Sequence, residues 1–381
     1  MKKVLLGTTA LLGAGMVAGT AQASDGIKLD VGGFFQTVYQ GVFDKDHGFG
    51  KHRNTDRFLH NAEVHFKGET TLDNGLTVGA RVELEGENFT GGGPGSPTNG
   101  FGDQIDKAFV YWSGGFGKVI IGSQDASIGG YCLLPPGATA NFSAFSPASW
   151  GSNDPIASNS ACSDTEGNSQ KLVYITPNFG GFQLRVSYTP SNNAEVYDQA
   201  GVNSSGTPTN PNGTAHHSAS FYATYSFAGD GWGVDWGGGV SHQFAKNHTG
   251  GGNNGRNTDY QSGLNVTIGN FGIGAVAEYY ATGGNDNDAL IWGGGLSYGV
   301  DAWTVGLQGS HGHYDASVDD GAGSSDDSSL SRIIATGSYA MGPGVTLDAE
   351  LGYTWFHDTG GSDPRRSYHA FDVAIGSALT F

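Results

Sequence analysis

Four carboxylate side chains lie in one long stretch of the sequence, between residues 125 and 169, that has no basic residue. They are Asp125, Asp154, Asp164 and Glu166. No lysine or arginine occurs between Asp125 and Lys171, so no basic residue of the stretch balances these acids. Fixed charges of one sign can set the ion selectivity of a pore. A solvated surface loop is the alternative interpretation of the same residues.

Basic side chains elsewhere fall on segments in which apolar and polar residues alternate. Those expected on the polar faces are Lys67, Arg81 and Arg185. Arg81 shares its face of one such segment with Glu83 and Glu85, while leucine, valine and alanine occupy the other face. A period of two residues is typical of a β-strand. Inward-facing bases of this kind would produce a transverse electric field against an acidic loop.

Other residues with possible chemistry give weaker signals. His311 and His313 share one strand face and could bind a metal, but we interpret them as rim residues near a loop. The pairs Asp319-Asp320 and Asp326-Asp327 lack a calcium-loop template. No Gly-x-Ser-x-Gly or His-Glu-x-x-His motif occurs. We therefore expect no catalytic residues, no metal and no cofactor; a hydrolase on a smaller barrel is a minor alternative.

The N-terminus has the features of an export signal. Lys2 and Lys3 precede an apolar run at residues 4–17, and Ala21-Gln22-Ala23 supplies the small residues that signal peptidase requires. The run is shorter than the roughly 20 residues of a membrane-spanning helix. We predict a signal peptide at residues 1–23, with the mature chain at residues 24–381.

The two cysteines, Cys132 and Cys162, both lie in the acidic stretch. An exported chain folds in an oxidising compartment, where disulfides persist. We therefore predict a Cys132–Cys162 disulfide that holds the shape of the loop.

The composition is unusual for a soluble domain of this length. The chain has 66 glycines, 12% aromatic residues and only 37% hydrophobic residues. A wide β-barrel tolerates this composition because its interior is wet. The formal charge of −18 becomes −20 when the signal peptide takes away Lys2 and Lys3, which argues against nucleic-acid binding.

Turn signals divide the alternating segments into sixteen predicted strands. Short connections such as Asp73-Asn74-Gly75 alternate with long ones, seven short against eight long. Short turns on one side and long loops on the other are typical of a bacterial outer-membrane barrel. At sixteen strands, side chains no longer fill the lumen.

Four segments resemble the general porin family of Gram-negative bacteria, especially its alphaproteobacterial members. Residues 76–85 resemble its third strand, and residues 106–122 resemble its strand, Gly-Phe-Gly turn and following strand. Residues 171–190 resemble the hairpin after its third loop. Residues 371–381 resemble its terminal strand, although Ser377 interrupts the apolar alternation.

This resemblance implies an all-β fold, a 16-stranded antiparallel transmembrane β-barrel, assembled as a homotrimer. The third loop, residues 125–169, would fold into the lumen as a constriction loop. Small hydrophilic solutes would diffuse passively through the narrowed lumen. The barrel assembly machinery would read Phe381, and outer-membrane lipid and lipopolysaccharide would surround the barrel.

We therefore expect a porin in the outer membrane of a Gram-negative bacterium. The acids assigned to its constriction are Asp125, Asp154, Asp164, Glu166, Glu83 and Glu85, and the pore bases are Lys67, Arg81 and Arg185. The excess of acid favours cations. A substrate-selective outer-membrane channel is the main alternative, and a secreted soluble β-rich binding protein is a minor one.

Overall fold

The structure is a computed structural model of the chain. It describes residues 26–44, 56–87, 105–139, 141–145, 159–163, 165–190, 217–244, 257–282, 288–315, 327–358 and 368–381. The predicted signal peptide at residues 1–23 lies outside these residues, as do Asp154 and Asp164 of the predicted constriction. Within the described residues, no helix has the length and hydropathy that crossing a membrane requires.

Sixteen strands form the described fold. They are β1 (Lys28–Asp44), β2 (Asp56–Thr71), β3 (Thr77–Glu87), β4 (Ile105–Gly114), β5 (Gly117–Ser123), β6 (Gln170–Ile175), β7 (Phe182–Thr189), β8 (His217–Ala228), β9 (Trp232–Phe244), β10 (Thr258–Ile268), β11 (Phe271–Ala281), β12 (Ala289–Val300), β13 (Trp303–Tyr314), β14 (Ser328–Gly342), β15 (Val345–Asp358) and β16 (Tyr368–Thr380). Each pairs antiparallel with its neighbours in sequence.

The sheet closes through the pairing of β1 with β16, which runs from Phe34 opposite Thr380 to Asp44 opposite Ala370. Beyond the last strand, Phe381 exchanges backbone hydrogen bonds of 3.0 and 3.1 Å with Gly33. The predicted closed, sixteen-stranded antiparallel barrel is therefore confirmed. Closure leaves no sheet edge with unpaired backbone groups.

Short and long connections alternate as predicted. Each short turn spans two to six residues, as at 72–76, where the Asn74 side chain accepts a 3.0 Å hydrogen bond from the Leu76 N–H. In the 301–302 turn, Asp301 has a φ of 52°. We call the two rims the turn end and the loop end. The start of β1 and the end of β16 both lie at the turn end, since the number of strands is even.

Side chains alternate between an apolar outer face and a polar inner face. Outward residues of three consecutive strands include Leu264, Ile273 and Leu296, which are 46%, 51% and 49% exposed. Aromatic pairs such as Trp303 and Tyr339, with ring centroids 4.6 Å apart, lie outward at the turn end. An exposed apolar band with aromatic residues at its border is typical of a surface that faces lipid.

The connection between β5 and β6, residues 124–169, hydrogen-bonds to side chains on the inner faces of distant strands. Tyr222 of β8 accepts a bond from the Leu133 N–H at 3.0 Å. Asn265 of β10 and Gln308 of β13 each donate to a backbone carbonyl of the connection at 2.9 Å. These contacts reach strands up to half a turn around the barrel from β5.

A substitution at Gly33 tests the closure of the barrel, because a Cβ added there would lie 2.2 Å from the Glu63 carbonyl oxygen. Its φ of 153° also strains any L side chain. We expect Gly33→Ala to lower the free energy of unfolding by about 1–3 kcal/mol. Urea unfolding in lipid vesicles, followed by tryptophan fluorescence, measures this change. Gly337→Ala on β14 is the matched control, because no atom lies within 4 Å of its added Cβ. Equal midpoints for the two variants would contradict the described closure.

Candidate functional site

The inner faces of β2 to β7 carry most of the basic side chains that the structure describes. They are Arg57, Lys67, Arg81, Lys107, Lys118, Lys171 and Arg185. The period-two alternation that exposes apolar residues to the outside directs these side chains inward. We call this part of the inner surface the basic wall.

A chain of ion pairs joins the basic wall to the start of the β5–β6 connection. Arg81 Nε lies 2.6 Å from Glu83, and Lys107 Nζ lies 3.2 Å from the other oxygen of Glu83. The same Lys107 ammonium lies 3.1 Å from Asp125 and 3.3 Å from Asp106. Glu83 is only 3% exposed, so its charge depends on these two cations. Lys107 therefore tethers Asp125, the first acid of the connection, to the wall.

A second polar group lies beside this chain on β2 and β3. His65 Nε2 is 2.7 Å from Glu63, and its Nδ1 is 2.9 Å from an Arg81 guanidinium nitrogen. Glu63, His65 and Glu83 bring three possible metal-ligand atoms within 4.8 Å of one another. Because Arg81 bonds to both His65 and Glu83, the positive charge that such a cluster needs is already supplied by the protein.

Two bases of the wall lie over aromatic rings. The Arg185 guanidinium is 3.8 Å from the ring centroid of Tyr131, which belongs to the connection, and Lys118 is 4.0 Å from that of Tyr111. Burial raises the pKa of the Tyr131 phenol, and Arg185 opposes the shift. The phenol thus stays neutral, and the contact holds the guanidinium against the connection by a cation–π interaction.

The opposite part of the inner surface, on β9 to β16, is acidic. Its described acids are Asp235, Asp259, Glu278, Asp348, Glu350 and Asp372. Among the described inward residues of these strands, Arg332 is the one base, and it contacts both Glu350 and Asp372. All six acids except Asp235 are 2% exposed or less. We call these five buried acids and Arg332 the acidic wall.

The β5–β6 connection covers the acidic wall. Asn141 donates a 2.5 Å hydrogen bond to Asp348, and the Ser163 N–H donates a 3.1 Å bond to Glu278. Phe142 packs with Val38 and Ala374 at the junction of β1 and β16. The connection therefore lies against the carboxylates of Asp348 and Glu278.

A disulfide crosses the same connection, between Cys132 and Cys162, whose Cα atoms are 5.7 Å apart. Glu166 follows shortly after and is 1% exposed. It accepts hydrogen bonds from Ser187 at 3.1 Å and Thr189 at 2.7 Å, both on β7. Glu166 thus binds the connection to the barrel wall, whereas Asp125, with a side chain 40% exposed, faces solvent.

Most of the acids and bases assigned from the sequence lie on the inner surface. Glu85 lies on the inner face of β3, and Lys67 forms a half-exposed pair with Glu69 at 3.2 Å. Sequence reasoning missed Lys107, because apolar and aromatic residues occupy both faces of β4 and period-two alternation does not distinguish them. It also missed Arg332 on β14. The alternation of this strand from Arg332 onward would have placed Arg332 on the inner face.

A closed barrel with an apolar outer band and a charged inner surface defines a transmembrane β-barrel channel. A sequence profile described as Gram-negative porin matches residues 7–359. The chain belongs to the Gram-negative porin family and is an outer-membrane protein.

Relatives and solved structures agree with this family. A "Monosaccharide porin" of Halomonas sp and a "Major outer membrane protein" of Halomonas elongata are each 26% identical over 193 residues. The match covers 49% of this chain and 49% of each relative, so the chain spans about half the length of the curated relatives it matches.

Structures with the same fold have lower identity. OmpF of Salmonella typhi, in complex with daunomycin, has a TM-score of 0.60 at 15% identity, covering 94% of this chain and 99% of that one. An anion-selective porin of Comamonas acidovorans has a TM-score of 0.56 at 16% identity, covering 93% and 100%. The trimer form of OmpT from Vibrio cholerae has a TM-score of 0.59 at 14% identity, covering 94% and 100%.

Replacing Lys107 by methionine tests the ion-pair chain. The change leaves the buried Glu83 with Arg81 as its one ionic partner, so we expect the free energy of unfolding to fall by about 2 kcal/mol. Lys67→Met is the matched control, because the Lys67–Glu69 pair is exposed and contributes about 0.5 kcal/mol or less. Urea unfolding in vesicles measures both variants. If Lys107→Met lowered the free energy of unfolding no more than Lys67→Met does, the chain of ion pairs would have no structural role.

Thiol titration tests the disulfide. Denatured protein that has not been reduced should show no free thiol, and reduction should release two, because Cys132 and Cys162 are bonded in the structure. Cys162→Ser provides a control that exposes one thiol without reduction. Finding two free thiols in the unreduced wild-type protein would rule out the bond.

Proposed function

We propose that this porin is a general-diffusion channel for small hydrophilic solutes and ions, and that residues 124–169 narrow its lumen. The observation that carries the proposal is the position of that connection. It bonds to the inner face at Tyr222, Asn265, Gln308 and Asp348, on strands far from the two it joins. A chain segment that reaches these residues passes through the interior of the barrel.

The remaining interior must hold water. Arg81, Lys67 and Asp125 have side chains 37–40% exposed on the inner surface. Ionised groups cannot present this much exposed surface to a dry cavity, because the loss of hydration costs too much free energy. The exposed side of the passage is therefore formed by the basic wall, and the covered side by the connection on the acidic wall.

We further propose that the channel prefers cations. Among the described inward residues, acids outnumber bases. The acids are Asp30, Glu63, Glu69, Glu83, Glu85, Asp106, Asp125, Glu166, Asp235, Asp259, Glu278, Asp348, Glu350 and Asp372, and the bases are Lys28, Arg57, Lys67, Arg81, Lys107, Lys118, Lys171, Arg185 and Arg332. This excess attracts counter-ions over a Debye length of about 10 Å at 0.1 M salt. The fold alone does not set the ion preference, since the Comamonas acidovorans porin, which has the same fold, is anion-selective.

Monosaccharide-sized polar molecules are the solute class we propose. The Halomonas relative named a monosaccharide porin supports this class. Its match with this chain covers 49% of its length. We also propose a homotrimer, supported by the trimer form of the OmpT neighbour. We further propose that the barrel assembly machinery recognises Phe381 and that the folded barrel contacts lipopolysaccharide.

Liposome swelling tests diffusion. Vesicles that contain the protein should swell in isotonic arabinose or glucose, and more slowly in a disaccharide, because a narrowed aqueous pore separates solutes by size. Protein-free vesicles are the control. Strong discrimination between monosaccharides of equal size would favour the substrate-selective channel instead. No swelling in any sugar would contradict a diffusion pore.

A reversal potential across a potassium chloride gradient tests the ion preference. We expect potassium to be preferred at low salt, and the preference to weaken near molar salt, where the Debye length shortens to about 3 Å. Asp125→Asn should shift the potential towards chloride, since its carboxylate is the exposed acid of the described connection. Glu166→Gln is the control, because that carboxylate is buried against β7. A preference for chloride in the wild-type protein at low salt would overturn the proposal.

A further inference from the structure

Histidines are distributed unevenly over the described barrel. Seven face outward at the loop end: His60, His217, His242, His311, His313, His357 and His369. We call them the histidine belt. The eighth described histidine, His65, faces the lumen. The described part of the turn end has no histidine on its outer face, so the belt marks one rim of the barrel only.

Fixed positive charge is missing from the outer face of the described strands. Every lysine and arginine that the structure describes lies on the inner face. Histidine is therefore the one residue type on the described outer face that can become cationic. The outside of this rim changes from uncharged imidazole to positive charge when the belt is protonated.

The belt lies at the height of the lipid headgroups. Long loops of outer-membrane barrels are extracellular, and aromatic side chains mark the membrane interface. The His311 ring is 5.7 Å from that of Trp292, and the His369 ring is 6.2 Å from that of Tyr353. The imidazoles are thus part of the aromatic border of the apolar band, next to the headgroups of the outer leaflet.

Hydroxyl groups on neighbouring strands orient three of the rings. They are Tyr188 with His217 Nδ1 at 2.9 Å, Thr258 with His242 Nδ1 at 2.8 Å, and Ser331 with His311 Nδ1 at 2.8 Å. With Nδ1 engaged in each case, Nε2 is the nitrogen that can donate to a ligand outside the barrel. Phosphate oxygens are strong acceptors for such a donor, and the bond strengthens when the imidazole is charged.

We propose that the histidine belt is a docking surface for the phosphate groups of the anionic lipids around the loop end, engaged in mildly acidic water and released in alkaline water. The occupant follows from charge complementarity: the belt offers several N–H donors in one plane, and the lipid surface at that plane offers anionic oxygens. This surface is separate from the lumen, so its role is independent of which solutes the channel passes.

Charged and titratable groups near the belt decide the sign of the pH effect. The described ones are Asp56, Asp288, Asp315 and Asp327, with the phenols of Tyr39, Tyr188, Tyr260, Tyr279 and Tyr353. Asp315 lies 3.2 Å from His313 and compensates that one histidine internally. Asp56 and Asp288 accept hydrogen bonds from Tyr39 and Tyr279. Protonation gives an imidazole a positive charge, so phosphate binding strengthens as the pH falls.

Spin-labelled lipids test the proposal on the reconstituted protein. The measurement is the fraction of label immobilised at the barrel surface, compared between phosphatidylglycerol and phosphatidylcholine. Phosphatidylglycerol keeps one negative charge across the range, so only the protein titrates. We expect the preference of the barrel for phosphatidylglycerol to rise about twofold or more between about pH 8 and about pH 5.5.

A sixfold variant, in which His60, His217, His242, His311, His357 and His369 are all replaced by Gln, should lose this rise and keep the value seen at alkaline pH, because Asp315 already compensates the remaining His313. His65→Gln is the matched control, since its ring faces the lumen, and it should retain the rise. Heat-modifiable gel mobility verifies that each variant is folded. A wild-type preference that does not change with pH, or a rise that persists in the sixfold variant, would overturn the proposal.

Discussion

An unpaired backbone N–H or C=O in hydrocarbon costs several kcal/mol, and the rest of this structure depends on avoiding that cost. Sixteen strands pair with both neighbours, and β1 pairs with β16, so the ladder has no edge. The same closure brings the first and last described strands together, where Phe381 bonds to Gly33. A barrel of this width leaves an interior that strand side chains cannot fill, and the inner surface can therefore be polar and charged.

The inner surface has two unlike halves, because bases line β2 to β7 and acids line β9 to β16, and the β5–β6 connection contacts the acidic half. Over the acidic wall, the connection removes carboxylates from water and must satisfy them, as Asn141 does for Asp348. Over the basic wall, bases such as Arg81 stay partly exposed. Lys107 and Arg185 link the basic wall to the connection, one through Asp125 and the other through the Tyr131 ring. In the channel we propose, this one segment sets the shape of the passage, and the strands set its electrical asymmetry.

The barrel was readable from the sequence because its signals are local. Period-two alternation and turns such as Asp73-Asn74-Gly75 depend on a few adjacent residues, and strand number follows from counting them. Partners across strands depend on register, and irregularities such as the one beside Glu83 shift it without a strong local signal. The sequence therefore placed Arg81 and Glu83 on one strand face but gave no sign that Lys107 of the next strand would pair with Glu83.

The central claim is that residues 124–169 narrow a water-filled lumen. Its most direct test is the single-channel conductance, in molar potassium chloride, of a variant that lacks residues 135–159 and keeps the Cys132–Cys162 disulfide as the closing link. The account predicts a folded barrel whose channel conducts several times more current than the wild-type channel, because the covering of the acidic wall has been removed. A folded variant with unchanged conductance would contradict it, since the deleted segment could not then be the part that limits the passage.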